Sequence, residues 1–382
     1  MKKVHCLFVA IIAIMTLDCC KESRNKNSLL IDDEKYSSVL LEDFADSIRV
    51  VRIYSSEPMK ELENGITYYD KNFLFLGSDD DKTIYCLRND SVISKLNAVG
   101  RGFGEYNTLI NVCYSAADSL LYGYVPGKLA IMCYRVPSFE FVKSIRVNTS
   151  ITAMRYVGDN TILAVGRTPS KDYDRTNGIF KISTVTNEIN EIMPINYLSA
   201  YLLGSSSFFE NDGKQCLIVP GFDNRVYEYS DHKLRELISF NYGKRNLSGD
   251  LFETDESQTD SYMSMMGALL SGFYSVGGRQ AIMRDSNLMF WHIAEFEDKE
   301  YTLATICDGM TYKNYLFTIP GIKKDIFPDL VQKDWYAIVF EGSKESILDD
   351  NEPLSPLGRE IIEAVDSQTD DNPVLLYFKI PL

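Results

Sequence analysis

The sequence predicts an all-β protein, a six-bladed β-propeller of four-stranded antiparallel blades, and three observations carry that expectation. The 382-residue chain is rich in strand formers, with 24 Tyr, 20 Phe and 12% aromatics, residue types that suit a pleated, half-buried surface. Short apolar runs alternate with clusters of Asp, Asn and Gly, the residues that supply turns, and few stretches hold a helical period. One signature recurs six times: a turn cluster, a short apolar strand, a loop and a second, aromatic-rich strand. Its units start near residues 73, 119, 160, 214, 280 and 335, a spacing that suits propeller blades with loop insertions. One blade cannot bury both its faces, whereas a closed ring of blades can. A two-domain β-sandwich is the competing architecture, but it gives no reason for a repeated signature.

At the N-terminus, Lys2 and Lys3 precede an apolar run from Leu7 to Leu17, followed by Cys19 and Cys20. A basic head and a short apolar core read as a secretion signal, too short to span a bilayer. Its end resembles a bacterial lipoprotein signal, in which the chain is cut before a Cys that becomes the lipidated first residue. Residues 1–19 are then the signal and Cys20 the lipidation site; Cys19, or an ordinary cleaved signal, remains open as an alternative. Lys21-Glu22 resembles the export tag of surface lipoproteins. One lipidated terminus tethers a domain that otherwise stays in water, and the polar stretch 20–38 reads as a flexible tether. The expected address is the cell envelope, at the outer membrane, facing either the periplasm or the surface.

The propeller is expected over 39–382. Ile48–Tyr54 is the first convincing strand and has no blade of its own. It is predicted to complete the last blade beside the strand 373–380, closing the ring. The turn clusters are 69–72, 116–119, 157–160, 210–213, 276–279 and, less clearly, 332–334. The strands that follow them include Phe73–Gly77, Leu120–Val125, Thr161–Gly166, Gln215–Pro220, Gln280–Arg284 and Trp335–Glu341. Two stretches break this rhythm. Asn241–Leu270 reads as an inserted loop with a short helix, and Gly358–Asp366 has Ile361, Ile362 and Val365 at helical spacing.

The formal charge of −15 repels phosphate backbones, and without a compensating Lys/Arg cluster nucleic acid is excluded as a partner. Cys86, Cys113, Cys133, Cys216 and Cys307 follow the signal without any CxxC spacing. In strand-like runs they read as small buried hydrophobes, so neither a disulfide framework nor a zinc site is expected.

Four residues are candidates for ligand binding. Arg101 lies in Gly100-Arg101-Gly102-Phe103-Gly104-Glu105-Tyr106, whose glycine amides could face an anion. The plainer reading is a crossover between blades in which the glycines allow positive φ, Glu105 caps amides and Tyr106 packs below. Trp291 and Trp335 could stack on sugar rings, or fill the gaps between blades. His292 follows Trp291 in one strand, so the two should face opposite sides. His232 is expected, exposed, at a hairpin tip. No GxSxG accompanies either histidine, and no catalytic residues are assigned. Asp79-Asp80-Asp81 and Asp349-Asp350 lack the spacing of a calcium loop and read as solvated charge. No cofactor or metal is assigned, with Ca²⁺ at the central channel kept as an alternative.

Three stretches carry a resemblance to a family. Gly100–Tyr106 is similar to the "G-x-G-P-G-E-Y" stretch of the six-bladed β-propeller lipoproteins of Bacteroides-type bacteria, which are distantly like NHL-repeat propellers. Leu41–Ile48 looks like their opening "L-x-D-x-x-D-S-I", and Asp371–Leu375 like their closing "D-N-P-V-L". Phe103 takes the place of the usual Pro, and Cys86–Asp90 replaces the usual "Y-D-x-x-G" hairpin tip. The resemblance implies a cell-envelope lipoprotein and no particular reaction, because fold alone supplies none. The expectation is a monomeric propeller that binds or scaffolds a glycan, peptide or envelope protein. The alternative is a Ca²⁺-dependent propeller hydrolase or lyase acting at the channel.

Overall fold

Strand pairing in the computed structural model follows the repeating units. The structure describes residues 28–32, 34–59, 67–69, 72–78, 82–147, 149–168, 176–195, 207–211, 215–219, 224–243, 276–284, 287–296, 299–309, 311–332, 335–367 and 372–382. Three strands come first: β1 (Ser28–Leu30), β2 (Ser37–Leu40) and β3 (Ser47–Arg52). The first blade is β4 (Thr67–Tyr69), β5 (Leu74–Gly77), β6 (Ile84–Arg88) and β7 (Ser91–Leu96). The second is β8 (Ile110–Ser115), β9 (Leu120–Val125), β10 (Ala130–Arg135) and β11 (Glu140–Arg146). The third is β12 (Ser150–Tyr156), β13 (Thr161–Thr168), β14 (Thr176–Ser183) and β15 (Ile189–Pro194). The fourth is β16 (Ser207–Asn211), β17 (Gln215–Val219), β18 (Arg225–Ser230) and β19 (Lys233–Asn241). The fifth is β20 (Val276–Arg284), β21 (Asn287–Phe296), β22 (Lys299–Asp308) and β23 (Thr311–Thr318). The sixth holds β24 (Leu330–Gln332), β25 (Trp335–Phe340) and β26 (Val374–Lys379).

The sixth blade takes its fourth strand from the other end of the chain. β3 pairs antiparallel with β26, from Arg52 opposite Val374 to Ser47 opposite Lys379, so the ring closes as the unpartnered strand Ile48–Tyr54 predicts. Arg49 lies over the Tyr377 ring across this pair, 4.7 Å from its centroid.

The strands before β3 extend the same arrangement backwards. β1 lies parallel on β19, the outer strand of the fourth blade, and β2 lies parallel on β23, the outer strand of the fifth. Beyond β3, the Tyr54 N–H donates to the Asp90 carbonyl and the Val92 N–H to the Tyr54 carbonyl, at 2.9 and 2.8 Å, touching the outer strand of the first blade. Residues 28–54 are thus a belt along the rim of blades four, five, six and one. Within the flexible tether expected over 20–38, the described part is docked: Ser28–Ile31 and Ser37–Leu40 are paired to blade edges and Leu29 and Ile31 are buried, whereas 20–27 lie outside the described residues. Polar groups hold the turn that follows. Asn314 Nδ2 donates to the carbonyls of Asp32 and Lys35 at 2.9 and 3.0 Å, and the Asp32 N–H donates to Tyr312 Oη.

The core is a series of interfaces between blades. Phe73, Phe75, Tyr106, Tyr114, Tyr122 and Tyr134 belong to one apolar cluster through blades one to three. Tyr122 stacks on Tyr156 with ring planes 5° apart. The middle strand β9 is covered on both faces, all six of its residues being buried.

Three helices are described: α1 (Leu41–Phe44), α2 (Lys344–Ile347) and α3 (Pro356–Asp366). The helix predicted over 358–366 starts two residues earlier. Ser355 caps it by accepting the Gly358 N–H at 3.0 Å, and Pro356 fits the first turn, where its missing N–H costs nothing. Ser355 Oγ also donates to Glu42 Oε2 at 2.7 Å, tying α3 to α1. No helix among the described residues is long and apolar enough to cross a membrane.

One unit differs from its expected layout. Val276–Arg279 was expected as a turn, but it lies inside β20, where the register shifts between Val276 and Gln280. The two glycines are accommodated as an irregularity in the strand. Gln280–Arg284 therefore belongs to the first strand of its blade, whereas its counterparts in the other five units are second strands. The signal and Cys20, Asp79–Asp81 and most of the insertion 241–270 lie outside the described residues.

Candidate binding cleft on the second blade

The glycine-rich loop joins the first blade to the second and is locked by its own groups. The Gly100 N–H donates to the Tyr106 carbonyl and the Tyr106 N–H to the Ala98 carbonyl, both at 2.9 Å. Glu105 folds back so that its Oε2 accepts the Gly102 N–H at 2.6 Å. A Cβ on Gly100 would stand 2.1 Å from that oxygen, and one on Gly102 2.9 Å from it. Gly104 alone of the three has a positive φ, +78°. The expected need for positive φ therefore holds at one glycine, and at the other two the cause is the approach of a carboxylate. An internal anion already occupies the loop, so its amides are not an anion site for a ligand.

The loop is fixed from below and from the side. Tyr106 is fully buried, its hydroxyl set against the carbonyls of Lys82 and Leu96 at 2.9 and 3.2 Å. The Tyr134 hydroxyl donates to the Gly104 carbonyl at 3.0 Å. Lys128, in the turn between β9 and β10, donates to the carbonyls of Glu105 and Gly102 at 2.6 and 3.2 Å.

This frame leaves Phe103 in water. It is 93% exposed, and its only ring partner among the described residues is Phe141 on β11, edge-on at 4.8 Å. Between the loop and the second blade is a cleft of about 310 Å³. Ala130 and Met132 form its floor, Phe103 and Phe141 its walls, and Lys128 and Arg146 flank them. A bulge opposite Cys133 and Tyr134 leaves Val142 out of register. It thereby turns Phe141 to the same face as Met132 and Arg146, re-aiming a side chain as bulges do. Arg101 is exposed one residue before the loop's contribution to the lining.

The other candidates are structural. Trp291 has no exposed surface and packs between blades five and six against Phe317, Tyr336 and Phe378, with centroids 5.4–6.1 Å away. It cannot stack on a sugar from there. His292 does face the other way, towards Tyr242 and Phe290, but it too is fully buried. Its Nε2 lies 2.8 Å from Thr305 Oγ1, which donates to Asn314 Oδ1 at 2.8 Å. That assigns Nε2 as the donor and places His292 in the chain of bonds that ends on the belt. Trp335 is half-buried against the cluster between blades six and one.

His232 is exposed with Asp231 at a two-residue hairpin tip, both at positive φ, as expected. Its Nε2 lies 3.6 Å from Asp159 Oδ2. Asp349 accepts the backbone and side-chain N–H groups of Asn351, which hold its carboxyl below the usual range. Among the described residues no three His, Cys, Asp or Glu side chains converge, so a Ca²⁺ site has no described ligand set. The five cysteines among the described residues, Cys86, Cys113, Cys133, Cys216 and Cys307, are buried and free. Burial pushes the thiols of Cys86, Cys113, Cys133 and Cys307 up to about 12, away from nucleophilic thiolate.

A closed ring of six four-stranded blades, with an aromatic cleft on the rim of one of them, defines a six-bladed β-propeller. The chain belongs to the family described as "6-bladed beta-propeller", whose model matches residues 20–320. In structure it is similar to a Bacteroides fragilis protein described as exported. The two share 14% identity with a TM-score of 0.68, over 93% of this chain and 99% of that one. It is also similar to a Bacteroides vulgatus protein at 10% identity and a TM-score of 0.49, over 88% of this chain and 97% of that one. At 14% identity the likeness to the first of these shows the fold alone. Among curated proteins none matches the sequence.

Proposed function

We propose that the protein is an exported lipoprotein of the cell envelope, anchored through Cys20, whose propeller is a rigid scaffold for binding a protein partner. The observation that carries the binding role is Phe103: a ring 93% exposed, held in place by a bonded loop at the wall of a cleft. Holding a large apolar ring in water offers nothing to stability, whereas an aromatic anchor on a preorganised support is how interfaces concentrate their energy. The Lys2–Cys20 pattern supports the address.

The test is made in the producing cell, with labelled palmitate and a photo-crosslinking amino acid at position 103. The reading expects label on the native chain, loss of that label and of membrane retention in Cys20→Ala, and an envelope protein crosslinked at 103. An unlabelled chain would sink the anchor, and silence at position 103 would sink the binding role.

A further inference from the structure

We propose that β11 and the cleft together take an extended acidic peptide segment of a partner protein. The segment adds to β11 as a fifth strand of the second blade and places one apolar side chain in the cleft, over Ala130 and Met132 and against the Phe103–Phe141 pair. This deepens the binding role proposed above and rests on it.

The fold already uses this mode of docking on itself. β19, β23 and β11 hold the same position, the fourth and outermost strand of their blades, and the first two each carry an added parallel strand from the belt. Their sheets are five-stranded, and the added strands are only three and four residues long. An outer blade strand of this protein is therefore a competent template for a short extended segment, held by main-chain bonds with pockets reading alternate side chains. The belt passes blades four, five, six and one, and among the described residues it leaves β11 and β15 uncovered.

These two edges are not alike. β15 ends on Pro194, has Glu191 exposed and is preceded by exposed Glu188, and proline with charge is how proteins blunt an edge. Both edges carry charge and expose one apolar side chain, Val142 on β11 and Ile192 on β15, but β11, Glu-Phe-Val-Lys-Ser-Ile-Arg, has no proline and borders the cleft through Phe141 and Arg146. At about 310 Å³ the cleft is at the lower end of small-molecule pockets, roughly 300–1,000 Å³, a size for an anchoring side chain.

Charge selects the partner. In a chain of net charge −15, this corner brings three cations, Arg101, Lys128 and Arg146, near two phenyl rings. Against them stand two carboxylates, Glu105, already turned onto the Gly102 amide, and Glu140 at the start of β11. Local cationic charge on an acidic protein steers a segment bearing carboxylates and disfavours a basic one. A second copy of this chain is disfavoured instead by repulsion between two chains of net charge −15.

The mature chain is titrated, by fluorescence anisotropy, with three labelled ten-residue peptides. One alternates Asp and Val around a central Phe, the second has Lys for each Asp, and the third has Pro for alternate Val. The first should bind at least tenfold tighter than the other two and should slow amide exchange across 140–146. Phe103→Ser and Arg101→Glu, both at exposed positions, should each weaken it about tenfold without shifting the thermal midpoint. Equal or tighter binding of the Lys peptide, equal binding of the Pro peptide, no binding at all, or self-association through this edge overturns the proposal. If an envelope protein still crosslinks at position 103 while the acidic peptide fails to compete, the binding role stands and the strand-addition mode falls.

Discussion

Glu105 accepts the Gly102 amide proton at 2.6 Å, and its carboxylate fills the space that a side chain on Gly102 would need. The same carboxylate crowds Gly100. Gly100→Ala, with its Cβ 2.1 Å from Oε2, should expel the carboxylate and cost about 1–2 kcal/mol, the scale of a lost cap or hydrogen bond. Glu105→Ala should cost a similar amount, about 1 kcal/mol. The double variant should cost less than the two together, because both remove one interaction. Urea unfolding of the four proteins measures this coupling, and full additivity would refute it.

Beneath the loop, Tyr106→Phe leaves the carbonyls of Lys82 and Leu96 without the hydroxyl. The expected loss is about 1–2 kcal/mol with no change in packing, read as a lower urea midpoint at constant slope.

The belt should matter more than its short strands suggest. Leu29 is 3% exposed, so Leu29→Ala should cost about 2–4 kcal/mol through the cavity it leaves. A chain beginning at residue 37 should melt lower than one beginning at residue 20 and should aggregate, because the edge of β19 is then bare. Light scattering during the melt distinguishes the two.

Alkali should unfold the protein. Burial raises the thiols of Cys86, Cys113, Cys133 and Cys307 from an ordinary 9.0 to about 12, and it also raises the phenols of Tyr122, Tyr134 and Tyr336. A group whose folded pKa is raised favours the fold fully below its unfolded pKa and loses that contribution as pH rises towards the folded one. The melting temperature should therefore be insensitive to these groups below about pH 9 and fall steadily towards pH 12. Cys→Ser variants are unsuitable controls, because each buries a new hydroxyl. Thiol reagents at pH 8 should react only on unfolding.

Trp291 and Phe103 should separate packing from binding. Trp291→Ala should cost about 3–5 kcal/mol, whereas Phe103→Ser should stay within about 0.5 kcal/mol of the native chain. If Phe103→Ser proved as damaging as Trp291→Ala, Phe103 would be a core residue.

The ring was legible because it depends on repetition: turn clusters before apolar strands mark the blades, and one leftover strand, Ile48–Tyr54, marks the closure. The belt strands were not legible. β1 and β2 are three and four residues long, with apolar runs only at Leu29–Ile31 and Val39–Leu41 in an otherwise polar stretch, and main-chain pairing to a distant edge leaves little trace in side-chain pattern. Alternation placed Trp291 and His292 on opposite faces correctly, yet it could not show that both faces are covered, because each blade is stacked between two others. Phe103 read as a departure from a proline-bearing pattern. Its role depends on Phe141, whose direction is set by a bulge, and a bulge has no signature in sequence.

The belt also imposes an order of events. It is made first, yet β1 finds its partner only when residues 239–241 have arrived, β2 waits for 315–318 and β3 for 374–379. Contacts so far apart in sequence are slow to form, so during synthesis the leading segment stays unclasped while the blades behind it assemble. The last step of maturation is then a fastening that runs around the rim, and a chain shortened at its C-terminal end would leave β3 with nothing to grip. Quality control in such a protein need watch only one thing, whether its beginning has been captured by its end.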